Sequence, residues 1–167
     1  ALPMGTLEDF FSRYFNSSVI FSDILCEYKW VLDGYDSNTT YHFDRSVNQI
    51  KIFIPLRDIG IDQAPLVYVP GSQTRREWRI YRDHLNIHHR NDPLLPNFRE
   101  FDNNAPDDLR KTFGSGIFDD PTDVTAKVGD VIIMNTKGLH RGSKLRDGYR
   151  LQLGILAHSN NRSIVDK

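Results

Sequence analysis

The sequence has little cysteine and no long apolar run. Its 167 residues include a single cysteine, Cys26, which excludes an intrachain disulfide and a cysteine-rich zinc site and favours a reducing compartment. No segment approaches the roughly 18 apolar residues of a membrane span, and the N-terminus lacks the basic-then-apolar pattern of a signal peptide. We therefore expect a soluble, cytoplasmic protein that has no membrane partner.

An excess of charge is also lacking. Lys and Arg total 21 and Asp and Glu total 22, which gives a net charge of −1 with neutral histidines. Because nucleic-acid-binding domains concentrate positive charge, the composition predicts no DNA or RNA partner. The sequence contains no GxSxG turn, no phosphate-binding P-loop and no dinucleotide-binding GxGxxG pattern. Nucleotide-binding folds and the serine-hydrolase elbow are therefore not indicated.

Short runs of β-branched and aromatic residues, separated by turn residues, make up most of the chain. They predict antiparallel strands at 19–24, 27–32, 39–43, 49–56, 65–69, 124–127, 130–135 and 149–157. A short helix over 6–15, capped by Thr6, precedes them. Many short strands without alternating helices predict one mainly β domain, 1–167, built as a barrel or sandwich. We expect Trp30 and the helix phenylalanines in its core, and Cys26 as a buried small hydrophobe.

His42 and Asp44 are two residues apart in a strand-like segment. Side chains at i and i+2 of a strand project to the same face, so this pair points at one spot. An imidazole beside a carboxylate suits a divalent first-row metal. Taken alone, the pair is a weak signal, and a histidine hydrogen-bonded to a neighbouring carboxylate on a solvated strand is the simpler interpretation.

A second set of candidate site residues follows the turn at 128–130. The apolar strand after this turn ends in a polar corner that carries His140, and Arg150 opens the next apolar strand ten residues later. A buried guanidinium at a barrel mouth is costly unless an anion is held there. Two histidines and one carboxylate occupy one face of an octahedral Fe(II) and leave three positions for a co-substrate and O2. The guanidinium fork of Arg150 then suits the distal carboxylate of a 2-oxo acid.

The order of these motifs resembles the phytanoyl-CoA dioxygenase-like branch of the Fe(II)/2-oxoglutarate-dependent oxygenases. The matching motifs are Tyr41-His42-Phe43-Asp44, the strand 50–58 ending in Leu-Arg-Asp, Pro70-Gly71-Ser72, Gly129-Asp130, His140 and Arg150. The resemblance implies a double-stranded β-helix, or jelly roll, with His42, Asp44 and His140 as the catalytic Fe(II) ligands. It implies that Arg150, assisted by Ser143, anchors 2-oxoglutarate, and that O2 and this co-substrate are used to hydroxylate a small molecule. An intact Asp44 favours hydroxylation over halogenation.

The charged stretch 72–113 interrupts the strand pattern. Its first part, 73–86, is predicted to be helical and the rest to be loop. His84 and His88 are four residues apart, but no third ligand is suitably spaced, so a solvated basic segment is the simpler interpretation. In the resembling family, insertions at this position form lids over the substrate. The corresponding hypothesis here is that Arg75, Arg76, Trp78 and Arg79 contact the substrate.

Three departures from the family pattern stand out. Gln73 replaces the usual histidine, Ala64 replaces a common glycine, and the region before His42 is short. Together with a first residue that is not methionine, this brevity predicts that an N-terminal segment is missing. Two other function classes remain open: a cupin-like metal enzyme that does not use 2-oxoglutarate and has no need of Arg150, and a catalytically silent β-barrel that acts as a binding module. The substrate and the oligomeric state are not predicted.

Overall fold

The computed structural model describes residues 4–30, 39–44, 49–74, 100–101, 106–107, 110–111, 114, 116 and 118–160. Within these ranges one helix precedes nine strands, and residues 106–107 and 110–111 are also helical. The elements are α1 (Met4–Phe15), β1 (Val19–Trp30), β2 (Tyr41–His42), β3 (Gln49–Pro55), β4 (Leu66–Tyr68), β5 (Glu100–Phe101), β6 (Thr122–Val124), β7 (Ile132–Asn135), β8 (His140–Gly142) and β9 (Tyr149–Ser159). No helix in these ranges has the length and apolar character needed to cross a membrane.

The strands form two antiparallel sheets. One sheet has the order β1-β9-β3-β7 and the other the order β5-β2-β8-β4-β6. From β1 to β4 and again from β6 to β9 the chain alternates between the two sheets, and this alternation produces the double-stranded β-helix. The predicted fold class, a mainly β jelly roll with a short N-terminal helix, is therefore confirmed.

Strand β3 separates the core from the cavity between the sheets. Its isoleucines Ile50 and Ile52 are buried with Phe11 of α1, and Ile155 and Ala157 of β9 complete this cluster. Because side chains alternate along a strand, the residues between the isoleucines face the opposite way. Lys51 and Phe53 accordingly line the cavity. Helix packing on one face thus fixes which β3 side chains reach the functional site.

Three predicted element boundaries were wrong. The strand predicted at 124–127 is β6, which spans Thr122–Val124. Helix α1 begins at Met4, so Thr6 lies inside its first turn and does not cap it. The predicted strands 19–24 and 27–32 are one strand, β1, whose register shifts between Ser22 and Leu25. Asp23 adopts a φ of 51° at this irregularity, a conformation that aspartate tolerates better than most residues. A β-bulge therefore replaces the predicted break.

Three predictions about burial were also wrong in whole or in part. Cys26 is exposed, Trp30 is 49% exposed, and Phe10 is 53% exposed whereas Phe11 is buried. Strand β1 is an edge of its sheet, so hydrophobic side chains on it need not face the core. The ring of Trp30 instead packs at 5.3 Å from that of Tyr28 on the surface.

Two short strands were not predicted. Strand β8 was expected as a polar corner, but it pairs with β2 on one side and with β4 on the other. Strand β5 lies within the stretch predicted as loop and pairs with β2. Residues 106–107 and 110–111 of the same stretch are helical. Most of the predicted helix 73–86 lies outside the described residues, and residues 73–74 belong to a turn.

Candidate metal centre

Strand pairing brings the two predicted parts of the site together. His42 at the end of β2 is the register partner of His140 at the start of β8. Asp44 follows two residues after His42, and its backbone N–H donates to the carbonyl of Thr136 at 3.1 Å. One ligand atom from each of His42, Asp44 and His140 lies within 4.8 Å of the other two. The early pair and the late histidine therefore converge, as the geometry of a metal site requires.

Both imidazoles are held by the backbone in the same way. Nδ1 of His42 lies 2.8 Å from the carbonyl of Thr40, and Nδ1 of His140 lies 2.8 Å from the carbonyl of Gly138. A carbonyl only accepts hydrogen bonds, so Nδ1 carries the proton in each neutral ring. Each Nε2 then has a free lone pair. A backbone carbonyl on the second ring nitrogen is a common support for metal-binding histidines.

The Nε2 atom of His140 is the clearest indication that the site fits a metal. His140 is 3% exposed, and this atom has no hydrogen-bond partner among the residues that the structure describes. The carboxylate of Asp44 is 3.8 Å away, beyond hydrogen-bond distance. An unsatisfied buried polar group costs about 1–3 kcal/mol. Two imidazole nitrogens and one carboxylate fit a first-row divalent metal, which would satisfy this atom.

Electrostatics keep the donors in the forms that bind a metal. Burial lowers the pKa of His140 to about 4, against the opposing influence of Asp44, so the imidazole is neutral at physiological pH. Burial by itself would raise the pKa of Asp44, but His140 and Lys51 lower it overall. The ammonium of Lys51 lies 2.8 Å from the Asp44 carboxylate. Asp44 is therefore ionised and held by a cation that the sequence analysis did not identify.

The depressed pKa of His140 predicts that the metal-free protein loses stability in acid. The imidazole titrates near 6.5 in an unfolded chain and at about 4 in the fold. Between about pH 7 and pH 4 the unfolded chain takes up a proton that the folded protein does not, so the free energy of unfolding falls by about 3 kcal/mol. Urea unfolding at several pH values will measure this change. His140→Asn should flatten the dependence of the unfolding free energy on pH. If the variant and the wild type showed the same dependence, His140 would not be the group responsible.

The three residues line a cavity of about 150 Å³ that also contains Arg150. Nη1 of Arg150 donates to the carbonyl of Ala64 at 2.5 Å, and its Nη2 lies 3.5 Å from a carboxylate oxygen of Glu27. The same Glu27 oxygen accepts a hydrogen bond of 2.7 Å from Gln152. Ala64 adopts a φ of 55°, which accounts for the usual glycine at this position in the resembling family.

The other predicted contacts are not all brought to this cavity. Ser143 is not among the residues that line the cavity, and its hydroxyl donates to Asp123 at 3.4 Å. Arg75, Arg76, Trp78 and Arg79 lie outside the described residues, as do His84 and His88. Lys51, Glu27 and Gln152 were missed. In the sequence, each is a charged or amide side chain between apolar neighbours in a predicted strand. This signal is weak as long as the strand pairing is unknown.

Comparison with solved structures finds the same fold in three proteins, one of which is described as a non-heme enzyme. SnoN, an alpha ketoglutarate dependent epimerase from nogalamycin biosynthesis, is 16% identical with a TM-score of 0.60 over 93% of this chain and 54% of SnoN. AviO1 from Streptomyces viridochromogenes Tue57 is 15% identical with a TM-score of 0.55 over 95% of this chain and 59% of AviO1. HygX from Streptomyces hygroscopicus, solved with nickel and 2-oxoglutarate bound, is 16% identical with a TM-score of 0.51 over 95% of this chain and 66% of HygX.

These similarities establish the fold alone, because identities of 15–16% are too low to transfer an activity. The chain spans between about half and two thirds of the length of these three proteins. No protein-family model matches the sequence, and no curated protein matches it significantly.

Proposed function

We propose that this protein binds Fe(II) through His42, Asp44 and His140 and uses 2-oxoglutarate and O2 to oxidise a small organic molecule. The observation that carries the proposal is the convergence of these three ligand atoms within 4.8 Å around a buried Nε2 that lacks a partner among the described residues. A second support is Arg150, which lines the same cavity. Two solved neighbours support the proposal by analogy: SnoN was solved with Fe3+ and alpha ketoglutarate, and HygX with iron and with nickel and 2-oxoglutarate.

Each residue has a defined task in this proposal. Bound Fe(II) would supply the redox chemistry that couples decarboxylation of 2-oxoglutarate by O2 to attack on a C–H bond. The carbonyls of Thr40 and Gly138 hold the two imidazoles in the tautomer that offers Nε2. Lys51 holds one carboxylate oxygen of Asp44. Arg150 would take the distal carboxylate of the co-substrate.

We expect the apolar part of the cavity wall to limit the access of water to the reacting atoms. Apolar side chains from both sheets line it, namely Phe53, Ile59, Leu66, Val124, Ile132 and Met134. A dry cavity strengthens the electrostatic interactions within it and protects a reactive oxidant from side reactions. The cavity thus combines polar side chains that could hold the metal and the co-substrate with apolar side chains beside them.

More specifically, we propose that the protein is a hydroxylase similar to the phytanoyl-CoA dioxygenase-like enzymes. In that reaction a substrate C–H, 2-oxoglutarate and O2 give a C–OH, succinate and CO2, so one oxygen atom enters the product and the other enters succinate. Because SnoN is described as an epimerase, product analysis should score both oxygen incorporation and inversion at carbon. Oxygen incorporation supports hydroxylation, and inversion without it would replace that assignment.

An anaerobic titration with Fe(II) and then 2-oxoglutarate tests the function. We expect one iron per chain and, on addition of 2-oxoglutarate, the weak visible absorption of a metal-to-ligand charge transfer. The melting temperature should rise with each addition because both ligands bind the folded state. No stoichiometric iron would favour the silent binding module. Bound iron without the absorption band would favour the cupin-like enzyme that does not use 2-oxoglutarate.

A further inference from the structure

Glu27 places a negative charge where the proposed co-substrate needs a positive one. Glu27 is on β1 and Arg150 is on β9, and the two strands pair with Glu27 opposite Gln152 and Lys29 opposite Arg150. The carboxylate of Glu27 lies 3.5 Å from Nη2 of Arg150 and lines the same cavity. Its contact therefore neutralises part of the guanidinium charge inside the cavity.

The Glu27 carboxylate is held in this position by more than its charge. Its Oε2 accepts a hydrogen bond of 2.7 Å from the amide of Gln152, and Gln152 is itself 5% exposed. On the far side, Nη1 of Arg150 donates to the carbonyl of Ala64. The side chains of Arg150 and Glu27 are 15% and 35% exposed, so the pair is partly shielded from solvent and salt. The hydrogen bond from Gln152 thus holds the negative charge of Glu27 beside the guanidinium of Arg150.

From this arrangement we propose that Glu27 competes with the distal carboxylate of a 2-oxo diacid for Arg150, and so sets how strongly the site prefers diacids over 2-oxo monoacids. The inference rests on the proposed function, because it takes Arg150 as the anchor of the co-substrate. Two carboxylates beside one guanidinium repel each other, and this repulsion lowers the affinity for the diacid. A 2-oxo monoacid carries no distal carboxylate and does not experience the repulsion.

The competition predicts that Glu27→Gln binds 2-oxoglutarate about tenfold more tightly than the wild type. The amide of the variant still accepts the hydrogen bond from Gln152, so the packing is kept while the charge is removed. The dissociation constant of pyruvate, a monoacid, should stay within about twofold. Titration calorimetry on the protein loaded with Ni²⁺ measures both constants without turnover. Glu8→Gln, which removes an exposed charge from α1, is the matched control and should change neither.

The outcomes separate this inference from the proposed function. Equal 2-oxoglutarate affinity in the wild type and Glu27→Gln would overturn the inference alone, and so would weaker binding by the variant or an equal gain for pyruvate. If neither protein bound 2-oxoglutarate with the metal in place, the proposed function would fail and the inference with it. Glu27→Ser, which also removes the charge, gives the same test should the glutamine variant be poorly folded.

Discussion

Replacing Asp44 by alanine will weaken the binding of a divalent metal at least about 100-fold. Loss of a supporting residue outside the ligand set already costs about 10- to 100-fold in metal affinity, and Asp44 is itself one of three ligand candidates. In the wild type the ammonium of Lys51 lies 2.8 Å from the Asp44 carboxylate. The variant leaves this positive charge uncompensated beside the two imidazoles, where it repels a metal cation. Both effects act in the same direction. Titration calorimetry with Ni²⁺, an air-stable ion, will measure the loss.

Two further variants separate the ligand role of Asp44 from its charge. Asp62→Ala removes a carboxylate that is 3.8 Å from Arg146 in an exposed ion pair, and it should leave metal affinity unchanged. Asp44→Ala combined with Lys51→Met removes both charges of the pair. If Asp44 is a ligand, the double variant remains a weak metal binder. Recovery of wild-type affinity in the double variant would show that Asp44 acts through its charge only.

Strands with alternating apolar residues were predictable from the sequence because the alternation lies within the strand itself. In β3 the isoleucines alternate with Lys51 and Phe53, and the structure buries the first set and turns the second set to the cavity. Strand β8 had no such signal, since its residues are His-Arg-Gly. It exists because β2 and β4 supply hydrogen-bond partners on either side. Partner strands from distant parts of the chain are not visible in a local pattern.

The site was predictable to a similar degree. Strand geometry places His42 and Asp44 on one face, but their meeting with His140 depends on the register of β2 with β8. The motif order of a resembling family suggested that meeting, and strand periodicity alone did not. Lys51 and Glu27 were missed because each acts through a partner on another element, Asp44 and Arg150 respectively. The motif does not specify the charges that surround the metal ligands, so these had to come from the structure.

Gly138 links the packing of the fold to the position of a metal ligand. Its carbonyl accepts the hydrogen bond from Nδ1 of His140, and its N–H donates to the carbonyl of Asn135 at 3.1 Å. A Cβ atom at this position would collide with the phenol of Tyr68. Tyr68 has little room to withdraw, because its hydroxyl donates to the carbonyl of Asn135 at 3.0 Å. Burial, aided by Tyr14, raises the pKa of Tyr68, so the phenol keeps the proton that it donates.

We therefore expect Gly138→Ala to lower the free energy of unfolding by about 3 kcal/mol, the upper range for an overpacked core. Metal affinity should fall about 10- to 100-fold as well, because the displaced carbonyl no longer orients His140. Combining Gly138→Ala with Tyr68→Leu removes the colliding phenol, so the double variant should be more stable than the sum of the single effects predicts. Gly5→Ala is the control, since nothing lies within 4 Å of a Cβ there. Strict additivity of Gly138→Ala and Tyr68→Leu would show that the two residues do not constrain each other, and His140 would then owe its position to other contacts.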